Sequence, residues 1–319
     1  MIRVQNLVKL FGAKRAVDNI SFSVERGQVL GFLGPNGAGK STTMRMITGF
    51  IPPTEGTVSV GGFDIAENPI AAKKLIGYLP ENAPAYTDMT VNGFLNFVAE
   101  VRGLHGDAKK KAVSRVVEMC FLEGVLHQSV DTLSKGYRHR TCFAQSIIHD
   151  PDVLILDEPT DGLDPNQKHE VRTIIRRMGE KKAIIFSTHI LEEVDAVCSR
   201  AIIIDRGKIV ADGTPEELRK KSDLAGAVTM RVSGVNGQSV TQKLAQLSSV
   251  KKTEVLKENS TGVTVKVFAK GDGKDGTLAQ SIADAGLGWR ISELHTEEGR
   301  LDDVFRSITM PDTVKEEKK

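Results

Sequence analysis

Short apolar runs and helical spacings alternate along the first two thirds of the chain. The runs at 29–33, 153–157, 183–188 and 201–205 are apolar at nearly every position. A strand with apolar side chains on both faces is typical of a parallel sheet that is buried on both sides. Stretches with helical spacing lie between these runs. The alternation predicts an α/β fold in which helices cover a parallel sheet.

A glycine-rich turn after the first of these runs leads into a helical pattern, with Met44, Ile47 and Phe50 at suitable spacing. Further along, residues 90–128 have the spacing of successive helices with no strand between them. Helical spacing over such a length indicates a subdomain built from helices alone. We therefore predict one large domain over residues 1–222, with a helical subdomain at about 90–145.

The pattern changes near Asp223–Gly226. From there the apolar positions predict the order strand, helix, strand, strand, helix, strand, helix up to about residue 310. This order is typical of a small ferredoxin-like α+β domain. We predict such a domain over residues 223–310, followed by a loose polar tail at 311–319.

The composition fits an ordinary folded protein of 319 residues, with one large domain and a small one. Lys and Arg number 43 against 41 Asp and Glu, a formal net charge of +2, so we expect no general attraction to nucleic acid or anionic lipid. The three cysteines, Cys120, Cys142 and Cys198, form no CxxC pair, which favours a reducing compartment over a disulfide frame or zinc site.

The chain shows no signal peptide and no apolar run near the roughly 20 residues that span a bilayer. If this protein serves a membrane, another polypeptide is expected to do the spanning. We expect the chain itself on the cytoplasmic side.

The glycine-rich turn matches GxxxxGK[ST] between a predicted strand and a predicted helix, the context in which this pattern binds phosphates. Its glycines let successive backbone N–H groups point at phosphate oxygens, and the helix adds its positive end. A lysine supplies a cation for the β- and γ-phosphates, and a hydroxyl supplies a magnesium ligand. A turn that binds nothing is the alternative, but eight matching positions oppose it. The predicted nucleotide-binding residues are Gly34, Pro35, Asn36, Gly37, Ala38, Gly39, Lys40, Ser41 and Thr42, with Ser41 also a magnesium ligand.

Two carboxylates follow the apolar run 153–157. A buried strand delivers Asp157 to its carboxyl end, where open α/β sheets place ligands, and there Asp157 can hold magnesium through water. Glu158 is positioned to polarise an attacking water. Alone, such a strand end is usually structural; together with the phosphate loop it predicts a nucleoside triphosphatase.

Further motifs narrow the class. The stretch 133–138, LSKGYR, resembles the LSGGQ signature of ABC ATPases, departing from it at Lys135 and Tyr137. By itself the match is weak, because a serine before a helix is often simply an N-cap. DGLDP at 161–165 and Ser-Thr-His at 187–189 follow in the order of that family. Residues 2–220 therefore resemble an ABC ATPase domain.

The resemblance implies roles for several residues. Phe11 would stack on adenine, although a core phenylalanine is an equal alternative. Ser134 and the N–H of Gly136 would bind the γ-phosphate held by a partner subunit. Asp164 would cross the dimer interface, and His189 would contact the γ-phosphate and hold the attacking water.

One position departs from the family. After IGYLP the family commonly has a glutamine that reaches magnesium and whose loop touches the membrane subunit, and here the residue is Glu81. A carboxylate can ligate magnesium as well, with more charge. It would also raise repulsion near Asp157 and Glu158 in the absence of metal.

The C-terminal stretch 291–309 resembles the tail of subunits that pair with ABC-2-type exporter permeases. Its physical content is an amphipathic helix whose inward side we expect to carry Leu301, Val304, Phe305 and Ile308. Both interpretations can hold together.

We therefore expect an ATP-binding and ATP-hydrolysing subunit of an ABC transporter that uses ATP and Mg²⁺ and drives a separate membrane permease for export. It would work as a homodimer or heterodimer at the cytoplasmic face of the membrane, without nucleic acid. One alternative is an ABC ATPase acting on ribosomes or DNA, which the single phosphate loop, the short span before the signature and the near-neutral charge disfavour. Another is a P-loop small-molecule kinase, which leaves the signature and DGLDP unexplained.

Overall fold

The computed structural model describes residues 1–82, 84–259, 262–270, 277–285 and 289–309. The chain divides into two compact units, Met1–Thr214 and Pro215–Lys319. The boundary precedes the predicted one at 222/223, because a short helix that starts at Pro215 packs against the last helix of the C-terminal unit. The predicted tail at 311–319 lies outside the described residues.

The N-terminal unit is a mixed α/β structure. Its strands are β1 (Ile2–Phe11), β2 (Lys14–Val24), β3 (Val29–Leu33), β4 (Glu55–Val60), β5 (Phe63–Asp64), β6 (Ile76–Leu79), β7 (Val153–Asp157), β8 (Ala183–Thr188), β9 (Arg200–Asp205) and β10 (Lys208–Gly213). Its α-helices are α1 (Lys40–Ile47), α2 (Pro69–Lys74), α3 (Val91–Val101), α4 (Gly106–Met119), α5 (Lys135–Ile147), α6 (Pro165–Gly179) and α7 (Leu191–Val197). Short 3₁₀ helices lie at Glu123–Val125 and Val130–Thr132.

The main sheet has the order β10-β9-β3-β8-β7-β6. Every pairing in it is parallel except that of the edge strand β10 with β9. All residues of β3, β7 and β8 are buried, as the continuous apolar runs predicted. A second, antiparallel sheet has the order β2-β1-β4-β5.

Two hydrophobic cores cover the two faces of the main sheet. On one face Ile155 and Ile185 pack in a cluster that includes α1 and the antiparallel sheet. On the other face Leu154 and Phe186 join a cluster formed with α3, α4, α5 and α6. Neighbouring residues of one strand thus enter different cores, because successive side chains point to opposite faces. This confirms the predicted α/β fold.

The helical part lies between β6 and β7 in sequence, as predicted for about 90–145. Its first helix, α3, is capped by Thr90, whose hydroxyl accepts from the N–H of Gly93 at 3.1 Å. This N-cap satisfies one of the free donors in the first turn.

The C-terminal unit follows the predicted order of elements. It contains α8 (Pro215–Arg219), β11 (Val228–Ser233), α9 (Gly237–Leu244), β12 (Val250–Asn259), β13 (Gly262–Ala269), α10 (Thr277–Ala285), β14 (Arg290–Thr296) and α11 (Leu301–Ile308). The sheet is antiparallel throughout, with the order β12-β13-β11-β14, so that β13 lies between two strands joined by a helix.

One face of the sheet of the C-terminal unit packs in its own core with α9 and α10. On α11 the inward side is as expected, with Leu301 and Val304 buried and Phe305 and Ile308 half-buried. No helix in the described ranges is both long and apolar enough to cross a membrane.

Candidate active site

The phosphate loop connects β3 to α1 and depends on its glycines. Gly37 and Gly39 have φ of 78° and 112°, a region that side chains rarely adopt. A Cβ at Gly34 would lie 2.4 Å from the carbonyl oxygen of Ile204, so only glycine fits there. The loop therefore passes close to β9 before it enters α1. The first turn of α1 carries no acidic residue, so the positive N-terminal end of the helix is not offset there.

The loop encloses the ammonium group of Lys40, which is 5% exposed. Its Nζ donates to the carbonyl oxygens of Gly34 at 2.8 Å and Pro35 at 3.3 Å. Glu158 Oε1 lies 3.5 Å from the same nitrogen. A buried cation thus faces the interior of the loop with a carboxylate beside it.

Asp157 joins three elements at the carboxyl edge of the main sheet. Its Oδ1 accepts from the hydroxyl of Ser41 on α1 at 3.2 Å and from the hydroxyl of Ser187 on β8. Asp157 is 1% exposed. A hydroxyl and a carboxylate oxygen at a helix N-terminus fit Mg²⁺, which in nucleotide sites takes one or two protein ligands besides phosphates.

Glu158 occupies a strained backbone position. Its φ is 53°, in the left-handed region that costs a non-glycine residue about 1 kcal/mol or more. The N–H of Glu158 donates to both the carbonyl oxygen and the hydroxyl of Ser187, at 3.2 and 3.1 Å. Hydrogen bonds to the neighbouring strand therefore hold the turn that directs this carboxylate towards Lys40.

The two predicted catalytic residues touch each other. His189 Nδ1 lies 2.6 Å from Glu158 Oε2. The histidine follows β8 directly and is 45% exposed, whereas the Glu158 side chain is 12% exposed. The pair thus lies at the mouth of the site, with the carboxylate on the inner side.

Lys40, Ser41 and Glu158 line a cleft of about 380 Å³. The residues that line it are Phe11, Lys14, Ala16, Asn36, Gly37, Gly39, Lys40, Ser41, Thr42, Glu81 and Glu158. Phe11 is 52% exposed, which rules out the alternative of a core phenylalanine. Lys14 and Ala16 were missed by the sequence analysis, because their position follows from the turn between β1 and β2 and from no motif.

Glu81 lines the same cleft as Ser41. Close by, on β6, the buried hydroxyl of Tyr78 has its pKa raised to about 12 by burial and, in second place, by the charge of Asp157. The charge of Glu81 acts on Tyr78 in the same direction. The charges of Asp157 and Glu81 therefore both act at Tyr78, where Arg45 opposes them.

The signature residues lie elsewhere. Ser134 caps α5, where its hydroxyl accepts from the N–H of Tyr137 at 3.3 Å, so the N-cap interpretation holds for the single chain. A Cβ at Gly136 would lie 2.3 Å from the side chain of Gln167 on α6, which requires glycine there. Neither residue lines the cleft of its own chain.

The loop before α6 likewise has a structural role within the chain. Asp164 caps α6 by accepting from the N–H groups of Asn166 and Gln167, each at 3.0 Å. It is not among the residues that line the cleft. The structure therefore brings together the phosphate loop, Asp157, Glu158 and His189, and leaves Ser134, Gly136 and Asp164 outside that cleft.

The departures from the usual signature make contacts of their own. Lys135 Nζ lies 3.5 Å from Asp161, between two exposed side chains. The guanidinium of Arg140 lies 4.4 Å from the centre of the Tyr137 ring, and it also pairs with Glu170 on α6 at 3.1 Å. The Arg140–Glu170 pair is less exposed than the Lys135–Asp161 pair, and it ties α5 to α6.

A strand, a glycine-rich loop and a helix, with an Asp and a Glu at the end of a nearby parallel strand, define a P-loop nucleoside triphosphatase of the α/β class. A family model described as "ABC transporter" matches residues 17–161. The linearmycin resistance ATP-binding protein LnrL of Bacillus subtilis is 37% identical over 238 residues, which cover 74% of this chain and 76% of that protein. The chain belongs to the ABC transporter ATP-binding proteins, and it is an ATP-binding ATPase.

Other relatives and solved structures agree. The probable multidrug ABC transporter ATP-binding protein YbhF of Escherichia coli is 39% identical over 70% of this chain, which spans 38% of that protein. A solved structure of an ATP-binding subunit of an ABC transporter aligns with a TM-score of 0.65 and 28% identity, covering 69% of this chain and 92% of that one. The ATP-binding cassette MJ0796 bound to ADP and Pi aligns with a TM-score of 0.63 over 67% of this chain and 99% of that one; at 20% identity it supports the fold alone. These findings do not favour the ribosome- or DNA-acting alternative.

Replacing Glu158 by Gln tests the predicted base. The amide keeps the shape of the carboxylate but cannot accept a proton, so we expect ATP binding to persist and steady-state turnover to fall by about 100-fold or more. Turnover and nucleotide affinity are measured on the purified chain, with the exposed Glu180→Gln as the matched control. Unchanged turnover in Glu158→Gln would remove Glu158 from the chemistry.

Proposed function

We propose that this chain powers export through a separate membrane permease, as one half of an ATPase dimer on the cytoplasmic face of the membrane. Support for export comes from a relative whose name states it: the Nod factor export ATP-binding protein I of Ralstonia nicotianae is 38% identical over 68% of this chain and 68% of its own length. The linearmycin resistance and multidrug names of two other relatives are compatible with export. The C-terminal stretch that resembles exporter subunits points the same way.

One observation supports the proposal that the chain works as a dimer. The phosphate loop and Glu158 line one cleft, with Asp157 and His189 hydrogen-bonded to them, whereas Ser134 and Gly136 neither line it nor contact these residues in the hydrogen bonds they make. A signature outside its own chain's cleft would act on the nucleotide of a partner. Two copies would then close head to tail, so that Ser134 and the N–H of Gly136 of each reach the γ-phosphate held by the other, with Asp164 crossing the interface. The MJ0796 cassette has been solved as a dimer.

Within each cleft the chain's residues would divide the work. Phe11 would stack on the adenine, because its ring is exposed at the rim. The loop backbone would cradle the phosphates, with Thr42 beside them in the first turn of α1, and Lys40 would turn its ammonium from the loop carbonyls towards them. Ser41, Asp157 and Glu81 would hold Mg²⁺, which, when bound, neutralises charge that develops on the phosphates.

Glu158 and His189 would act on the attacking water. Glu158 would accept its proton, since the strained turn aims the carboxylate towards the loop. His189, at present 2.6 Å from that carboxylate, would hold the water in line and contact the γ-phosphate. Loss of the γ-phosphate would remove a bridge between the two copies, which would then part and move the permease.

The membrane partner is tested by capture from detergent extract with the intact chain as bait. We expect the recovered protein, identified by mass spectrometry, to carry about six apolar spans of roughly 20 residues each. Resin without bait is the control. Recovery of ribosomal proteins or DNA-binding proteins in its place would contradict a transport role.

Replacing Ser134 by Arg tests the composite site. A bulky cation at the signature blocks closure, so we expect nucleotide binding by the monomer to stay nearly intact while turnover falls by about 100-fold or more. Ser114→Arg, at an exposed position of α4, is the matched control. If affinity and turnover fell in proportion, the signature would be acting within its own subunit.

Glu81 is tested through its magnesium dependence. Glu81→Gln keeps an oxygen ligand but loses its charge, so the Mg²⁺ concentration for half-maximal turnover should rise only modestly. Glu81→Ala leaves no ligand there, and we expect a rise of about tenfold, which corresponds to roughly 1.4 kcal/mol of lost ligation. ATP binding without metal should be unchanged in both. Identical Mg²⁺ curves for all three forms would make Glu81 a solvated loop residue.

A further inference from the structure

A buried carboxylate behind the site has no role so far. Glu193 lies in α7, four residues after His189, and is 1% exposed. Its Oε2 accepts from the hydroxyl of Thr188 at 2.7 Å, and its Oε1 accepts from the hydroxyl of Thr160. The guanidinium of Arg172 on α6 lies 3.5 Å from Oε1. Glu193 is not among the residues that line the nucleotide cleft.

The two threonines belong to the two strand ends that carry the catalytic residues. Thr188 is the last residue of β8 and directly precedes His189. Its oxygen also accepts from the N–H of Ile190 at 3.0 Å, so its hydroxyl group constrains the chain on both sides of His189. Thr160 comes two residues after Glu158, and it starts the loop that leads to Asp164. One carboxylate thus links the two segments whose catalytic side chains meet 2.6 Å apart.

Packing alone does not account for this arrangement. Removing a carboxylate from water is costly, and an apolar residue of similar volume often stabilises a core as well or better. The compensation here consists of two hydroxyl donors and one guanidinium, whose Nε is buried without a hydrogen-bond partner among the described residues. Glu193 contacts the loop after β7, the end of β8 and α6. A carboxylate buried at this junction in spite of the desolvation cost is suited to fixing the relative positions of the three segments.

We propose that Glu193 is a positioning residue for ATP hydrolysis: through Thr188 and Thr160 it fixes His189 relative to Glu158 and to the loop that carries Asp164. The inference rests on the proposed roles of His189 and Glu158 and adds a residue that acts through them. Because Glu193 lies outside the cleft, it governs the rate of the chemical step and leaves nucleotide affinity alone. Misplacement of a catalytic group by about 1 Å can cost a factor of 100 in rate.

The first variant is Glu193→Gln in the full chain. Its amide has one accepting oxygen instead of two, so one threonine loses its acceptor and Arg172 loses its charge partner. We expect kcat to fall about 10- to 100-fold with the Kd for ATP unchanged. Glu192→Gln, on the same helix at the neighbouring exposed position, should keep the wild-type kcat.

Variants of Thr188 separate positioning from a general loss of stability. Thr188→Val keeps the volume and removes the hydroxyl, so it should lower kcat in the same way, whereas Thr188→Ser keeps the hydroxyl and should recover most of the turnover. A double-mutant cycle of Glu193→Gln with His189→Ala measures the coupling. If Glu193 acts through His189, its replacement should have little further effect once the histidine is gone.

The outcomes are distinct. Wild-type kcat in Glu193→Gln and Thr188→Val, with His189→Ala impaired, would overturn the positioning role alone. So would losses that multiply fully in the double variant, or a Thr188→Ser as slow as Thr188→Val. Wild-type turnover in His189→Ala would overturn the proposed role of the histidine, and this inference with it.

Discussion

The parallel pairing of β3, β8 and β7 is the constraint on which the site depends. These strands are neighbours in the sheet although more than a hundred residues separate the first from the other two. Because they run in the same direction, their carboxyl ends lie along one edge, and the phosphate loop, the Asp-Glu pair and the histidine emerge there together. Asp157, at the end of β7, then connects this edge of the sheet to α1 through Ser41 and to β8 through Ser187. The cleft is a consequence of strand order.

Strain at Glu158 is tolerated because the same edge over-determines it. Two hydrogen bonds that the N–H of Glu158 donates to Ser187 hold its left-handed backbone. The buried carboxylate of Glu193 accepts from Thr188 and Thr160 in the two segments that carry His189 and Glu158. A rigid frame of this kind keeps the carboxylate of Glu158, the proposed base, within reach of its partners without relying on flexible loops. Lys40 adds a buried positive charge to the site, and the carbonyl oxygens of the phosphate loop hold its ammonium group in place.

Residues of the signature region have a structural role within the chain besides the role proposed for them. Ser134 and Asp164 are N-caps, and Gly136 is needed because α6 passes close to it. These are sound structural reasons for each residue within a single chain. These structural reasons do not conflict with a role towards a second copy of the chain, since the N-terminal end of a capped helix still carries its partial positive charge. The ion pair between Arg140 and Glu170 ties α5 to α6.

Sequence alone was sufficient for much of this protein. Continuous apolar runs identified the buried strands, since only a doubly covered parallel strand needs apolar residues on both faces. Local motifs predicted the phosphate loop, Asp157 and Glu158 as site residues, because their chemistry depends on residues that are adjacent in the chain. The ABC ATPase class followed from the order of several such motifs, and the comparisons confirm it.

Features that arise where distant segments of the chain meet could be established only from the tertiary structure. The exposure of Phe11 and the presence of Lys14 and Ala16 in the cleft follow from the path of the β1–β2 turn across the loop. The unit boundary before Pro215 follows from the packing of α8 on α11. Glu193 carries no motif, and its contacts with Thr160, Thr188 and Arg172 join residues up to 33 positions apart. A sequence pattern records spacing along the chain, whereas these features arise from spacing through space, which the packed fold alone sets.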